Sequence, residues 1–138
     1  MTDYFALACP EKDLLQTSEL ALAHVGDAVF ELLVRTRLCL HGAATNKTLH
    51  KLAVAQVTAP AQAAFVSAIL PVLTEEELAV YKRGRNANSH PAPKSATPGQ
   101  YARATGLETL FGWLWLTGKR ERLNTLFAIG TGEDDHAL

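Results

Sequence analysis

Between Glu77 and Glu108 the chain has no acidic residue, yet Lys82, Arg83, Arg85, Lys94 and Arg103 all fall there, in a protein of formal net charge −1. The total charge therefore says nothing about partners, and the local distribution has to carry that argument. Cysteine is scarce as well. Cys9 and Cys39 are isolated and show no CxxC spacing, which argues against a zinc site or a disulfide framework and points to a reducing cytosol. No stretch approaches the roughly 18–20 apolar residues that span a bilayer, because Asp27, Glu31 and Arg35 interrupt the longest one. The opening segment MTDYFALACPEKD lacks the basic region of a secretory leader. Internal repeats and low-complexity linkers are missing too, so the 138 residues are expected to form one domain, 1–138. No segment alternates apolar and polar residues with the period of a strand.

What is present is helical. Residues 1–16 read as an arm with one turn around Asp13–Gln16. Thr17 or Ser18 can cap a long helix running to about His41, with Gly42 just past its end. Thr45 or Asn46 opens NKTLHKLAVAQV, and a further helix runs past Thr58 and Pro60 to Pro71. Two capping boxes follow, Thr74 with Glu77 and Thr97 with Gln100. The second opens a helix carrying Tyr101 to Leu116 and ending at Gly118. A last helix is expected over Lys119–Ile129, and 131–138 reads as an acidic flexible tail. The expected fold class is all-α, a helical bundle.

The most apolar stretch is LALAHVGDAVFELLVR, residues 20–35. Its apolar residues cover more than one side of a helical wheel, so it reads as a buried central helix. Gly26 and Asp27 sit in its middle. A helical glycine costs about 1 kcal/mol relative to alanine, and an unpartnered buried carboxylate costs several times that. Glu31 and Arg35 follow Asp27 at i+4 and i+8 and make a favourable ion pair with each other. Asp27 has no such partner; His24 is the nearest. Glu108 is a second lone acid, the single charge between Arg103 and Lys119, flanked by Gly106 and Gly112. Small residues let helices approach closely, so Asp27 and Glu108 could share a divalent cation. Mg²⁺ favours few carboxylates plus waters, can generate hydroxide and stabilises phosphate displacement. The competing reading is two buried acids satisfied by hydroxyls or backbone donors, such as Thr105 and Thr109.

The centre of the acid-free segment, KRGRNANSHPAPKS, adds Asn86, Asn88, Ser89 and His90 to the cations. Such groups bond phosphate and ribose oxygens. The other reading is a solvated helix end whose cations answer the helix dipole. Few aromatic residues accompany the cations, which disfavours a stacking platform for single strands and fits a duplex backbone better.

HVGDAVFELLVR resembles the signature of the ribonuclease III catalytic domain, most closely its short Mini-III branch, which lacks a separate double-stranded-RNA-binding domain. NKTLHKLA at 46–53, KRGRNANS at 82–89 and ATGLETLFGWLWL at 104–116 agree in order and spacing, so the resemblance covers about 18–126. It implies a ribonuclease III-like homodimer that is Mg²⁺-dependent, with Mn²⁺ as a substitute. Such an enzyme cuts double-stranded RNA to leave 5′ phosphate and 3′ hydroxyl ends. The expected substrate is the precursor of large-subunit ribosomal RNA, in the cytoplasm and away from membranes. Asp27 falls on the family's catalytic aspartate and Glu108 on its metal-binding glutamate. Asn46, Lys47, Lys82, Arg83, Arg85, Asn86 and Lys94 are the expected RNA contacts, with Gly26, Glu31 and Arg35 supporting the site. His50 could face substrate or be structural. Ala23 and Thr105 stand where full-length ribonuclease III enzymes carry acids, a departure that the Mini-III branch shares. The alternative function is a non-catalytic domain of this fold that binds structured RNA.

Overall fold

The computed structural model describes residues 1–42, 45–87 and 96–133. Seven α-helices form it: α1 (Glu11–Leu14), α2 (Glu19–Leu40), α3 (Asn46–Gln56), α4 (Ala59–Ile69), α5 (Glu75–Asn86), α6 (Pro98–Leu116) and α7 (Arg120–Thr131). A 3-10 turn, Leu70–Val72, closes α4. No strand occurs among the described residues. The start signals Ser18, Thr45, Thr74 and Thr97 act where they stand, each accepting a backbone N–H of the first turn, and both capping boxes close reciprocally; Thr58, a break in the sequence pattern, caps α4 in the same way. Each such cap is worth about 1 kcal/mol to its helix.

α2 and α6 cross at the centre, and glycine makes the crossing possible. A Cβ built on Gly26 would stand 1.6 Å from the Glu108 carbonyl oxygen, and one on Gly112 would stand 1.9 Å from that of Leu22. α5 lies on α6 through Gly84, which abuts Thr109, and through Gly106, which faces the Tyr81 ring. Phe30, Phe65, Phe111 and Phe127, from α2, α4, α6 and α7, meet edge-on or tilted at centroid separations of 5.1–6.1 Å. That cluster, with Leu107, Leu110, Leu114 and Leu126 fully buried around it, is the core.

Three buried or tied polar groups brace this frame. Glu77 is 4% exposed and receives both Nε and Nη2 of Arg122 at 2.8 Å, while Nη2 also donates to the Val72 carbonyl at 2.7 Å. At the end of α2, Arg37 and His41 close on the Glu133 carboxylate at 2.5 and 3.3 Å. In the arm, the Cys9 N–H donates to the Leu116 carbonyl at 2.8 Å.

Two expectations need correction. α2 is not buried all round: Leu20, Leu32 and Leu40 are exposed on one face. The acidic tail does not begin free at 131, because Thr131 is helical and Glu133 is held by α2; residues 134–138 lie outside the described part.

Candidate metal centre and nucleic-acid interface

The α2–α6 crossing brings Asp27 and Glu108 together. Glu108 follows from the close approach: its own carbonyl lies over Gly26, one residue before Asp27. The two carboxyls come within hydrogen-bonding proximity, and Glu108 is half-buried beneath the exposed Asp27. The exposure of Asp27 departs from the buried position that its apolar surroundings suggest. Gly26 turns the inner side of α2 toward α6, which leaves the next residue at the rim.

Burial first, then the neighbouring Asp27 carboxyl, pushes the Glu108 carboxyl up to about 8, against a smaller lowering by the Gln62 amide. Two carboxyls facing each other cannot both ionise cheaply, so one keeps its proton near neutral pH unless a cation is present. The hydroxyls that could have satisfied them are engaged elsewhere. Thr105 donates to the Tyr101 carbonyl at 3.1 Å, and Thr109 donates to the Thr105 carbonyl at 2.8 Å, with that of Glu19 at 3.3 Å. The Thr105 and Thr109 hydroxyls therefore do not satisfy the two acids. His24 is exposed and forms no ion pair with Asp27 among the described residues. The donor set fits a small hard cation that takes two carboxylate oxygens and completes its sphere with water. No group of three or more metal-ligating side chains occurs among the described residues.

The flank of α2 beyond Asp27 carries the Glu31–Arg35 ion pair, with Arg35 Nε donating at 3.1 Å. Arg35 leads into a cleft of about 310 Å³ between α2 and α3, where Asn46 and His50 stand one helical turn apart beside Cys39 and Leu49. Lys47 is exposed on the first turn of α3 and has no described contact with the carboxylate pair.

At the end of α5, Lys82 and Arg83 are exposed. Arg85 is half-buried; it lies over the Tyr81 ring at 5.8 Å, and its Nε donates to the Asn86 side chain at 3.3 Å. This helix end is close to the carboxylates in the fold, since Gly84 abuts Thr109 and Thr109 follows Glu108. Lys94, with Asn88, Ser89 and His90, lies outside the described residues. Sequence reasoning missed Gln62, an amide 3% exposed on α4 that faces Glu108. Its signal was available: one polar side chain within the small apolar run APAQAAFVSAI.

A second face of α2 carries an apolar groove of about 380 Å³ lined by His24, Val25, Ala28, Val29, Leu32 and Trp115. No single helix is long and apolar enough to cross a membrane.

Compared with known proteins, the chain matches the Ribonuclease III domain over residues 20–119. It is 50% identical over 105 residues to Mini-ribonuclease 3 of Symbiobacterium thermophilum, covering 76% of this chain and 81% of that one. To Mini-ribonuclease 3 of Enterococcus faecalis it is 46% identical over 117 residues, with coverage of 83% and 89%. Among solved structures it resembles a crystal structure of a Fusobacterium nucleatum protein, with a TM-score of 0.77 and 32% identity over 87% of this chain and 96% of that one.

Proposed function

The chain belongs to the ribonuclease III family, and we propose that it is a Mg²⁺-dependent endoribonuclease of the Mini-III type. Its substrate is double-stranded RNA, and its task is maturation of the large-subunit ribosomal RNA precursor in the cytoplasm. The observation that carries the reading is the opposition of Asp27 and Glu108, two carboxyls that no described hydroxyl or cation satisfies.

Asp27 and Glu108 would hold the cation, with Mn²⁺ able to replace Mg²⁺. A cation held there would lower the pKa of a bound water and offset charge on the phosphate. The chain's own residues do the rest. Glu108 gives up its proton as the site loads. Asp27, at the rim, is open to the RNA strand. Lys82, Arg83 and Arg85, with Asn86, sit one helix away and hold the duplex backbone, a contact that positions RNA without reading sequence. Lys94, Asn46 and Lys47 are assigned the same duty from the sequence. Glu31 and Arg35 hold each other on the face that continues from Asp27, and Gly26 keeps α2 against Glu108. In the reaction, water oxygen bonds to phosphorus and the bond to the 3′ oxygen breaks. The 3′ oxygen leaves as hydroxyl and the 5′ side keeps the phosphate.

Cutting both strands needs two sites related by a two-fold axis. The exposed apolar groove around Val25, Leu32 and Trp115 supports a homodimer through this face of α2, because a large open apolar surface is unusual on a monomer. Free Cys9 and Cys39 suit a reducing compartment.

The test is a labelled RNA duplex at low salt with Mg²⁺, Mn²⁺ or EDTA, beside Asp27→Asn and Glu108→Gln. Metal-dependent cleavage, lost in both variants while their circular dichroism stays native, supports the reading. Duplex binding without cleavage under any metal leaves an RNA-binding scaffold instead.

A further inference from the structure

Gln62 is an anomaly in its surroundings. It stands in α4 among Ala59, Ala61, Ala63, Ala64 and Phe65, 3% exposed, and among the described residues its Nε2 makes no hydrogen bond of ordinary geometry. An amide buried without a partner gives up its hydrogen bonds to water for nothing in return, and an apolar side chain of the same length would fill the space without that loss. The side chain is directed at the Glu108 carboxyl.

Among the described residues no side chain besides Gln62 and Asp27 meets the Glu108 carboxyl. The glycine contact with α2 holds its main chain and does not involve its carboxyl. Thr105 and Thr109 have given their hydroxyls to carbonyls. Opposite it is Asp27, a group that repels it once both are ionised. α4 packs on α6, and a carboxylate oxygen is a strong acceptor for an amide N–H, so the buried Gln62 donor and the Glu108 ligand suit each other.

We propose that Gln62 is a positioning residue of the metal site: its amide donates to one oxygen of the ionised Glu108 and fixes the rotamer that presents the other oxygen to the cation. This rests on the nuclease reading above. Outer partners of this kind orient ligands and typically change metal affinity by 10–100-fold when removed.

Mn²⁺ binding to the protein without RNA, followed by electron paramagnetic resonance, separates this role from a packing role when wild type is compared with Gln62→Met. The expected result is an apparent Mn²⁺ affinity at least about tenfold weaker, with a melting temperature in EDTA equal to or above that of wild type. A packing role gives the reverse, a lower melting temperature and unchanged Mn²⁺ affinity, and overturns the proposal. The wild type supplies a check that needs no substitution: in ¹⁵N-labelled protein the Gln62 side-chain amide signals shift and exchange more slowly when Mg²⁺ saturates the site. Signals that do not respond overturn the proposal, whether or not the variant folds. A wild type that takes up no Mn²⁺ at all overturns the nuclease reading together with it, whereas equal uptake by wild type and Gln62→Met overturns the role of Gln62 alone.

Discussion

The Glu108 carbonyl oxygen occupies the place where a side chain on Gly26 would stand, 1.6 Å from a Cβ built there. The residue that offers a carboxyl to Asp27 is thus also the residue against which the preceding glycine of α2 is seated. Close approach and chemistry thus meet at one residue, the first through its main chain and the second through its side chain.

Gly26→Ala is expected to push α2 and α6 apart. The obstruction is backbone, which cannot rotate aside, so the cost reaches or exceeds the about 1–3 kcal/mol of an overpacked core. Urea unfolding at pH 7 measures it. Mn²⁺ affinity should fall as well, because the carboxyls separate.

Stability should depend on pH through Glu108, and in a particular direction. Its folded value is raised to about 8, so the folded state holds a proton that the unfolded chain releases at the ordinary carboxylate value. The contribution is full below that ordinary value and is lost as pH rises through about 8. In EDTA the melting temperature is expected to fall across this window, by a free energy on the order of a few kcal/mol. Mg²⁺ should offset the fall increasingly toward high pH, and Glu108→Gln should remove the slope. Calorimetry at several pH values with and without Mg²⁺ decides; a wild type as flat as the variant sinks the coupling.

Arg122→Met leaves the Glu77 carboxylate buried without its cation. Burial raises the Glu77 carboxyl, but the Arg122 guanidinium and the Thr74 N–H outweigh it and hold it low. Breaking such a pair costs about 3–5 kcal/mol, read by chemical denaturation at pH 7. Adding Glu77→Gln to this variant should recover part of the loss.

Arg83→Glu is expected to weaken duplex RNA binding alike for all sequences and to leave the fold unchanged, since its side chain is exposed. If Arg83 neutralises a phosphate, its removal lowers the slope of log affinity against log salt by about 1. Filter binding at several salt concentrations checks it; an unaltered slope takes Arg83 off the interface.

Much of this fold is legible because its signals are local. Ser18, Thr45, Thr58, Thr74 and Thr97 stand one residue before their helices, and a capping hydroxyl needs no distant partner to act. Asp27 and Glu108 are separable from the other acids because each interrupts an apolar run. Their level of burial is not legible: an apolar stretch does not say which of its residues reaches the rim, and that is set by which face Gly26 presents to α6. Gln62 escapes notice because its meaning depends on Glu108, 46 positions later (108 − 62). Glu133 reads as part of a mobile tail because an acidic end looks alike whether or not a cation waits for it elsewhere in the fold.

That last contact ties two distant ends of the chain. Arg37 and His41 close the final turn of α2, and the carboxylate they share follows α7 directly. Fraying is ordinarily a private matter for each helix terminus. Here the shared carboxylate couples the last turns of α2 and α7, so protection of their amide protons from exchange should fall in both when the contact is removed. Shortening the chain to end before Glu133 should release both at once.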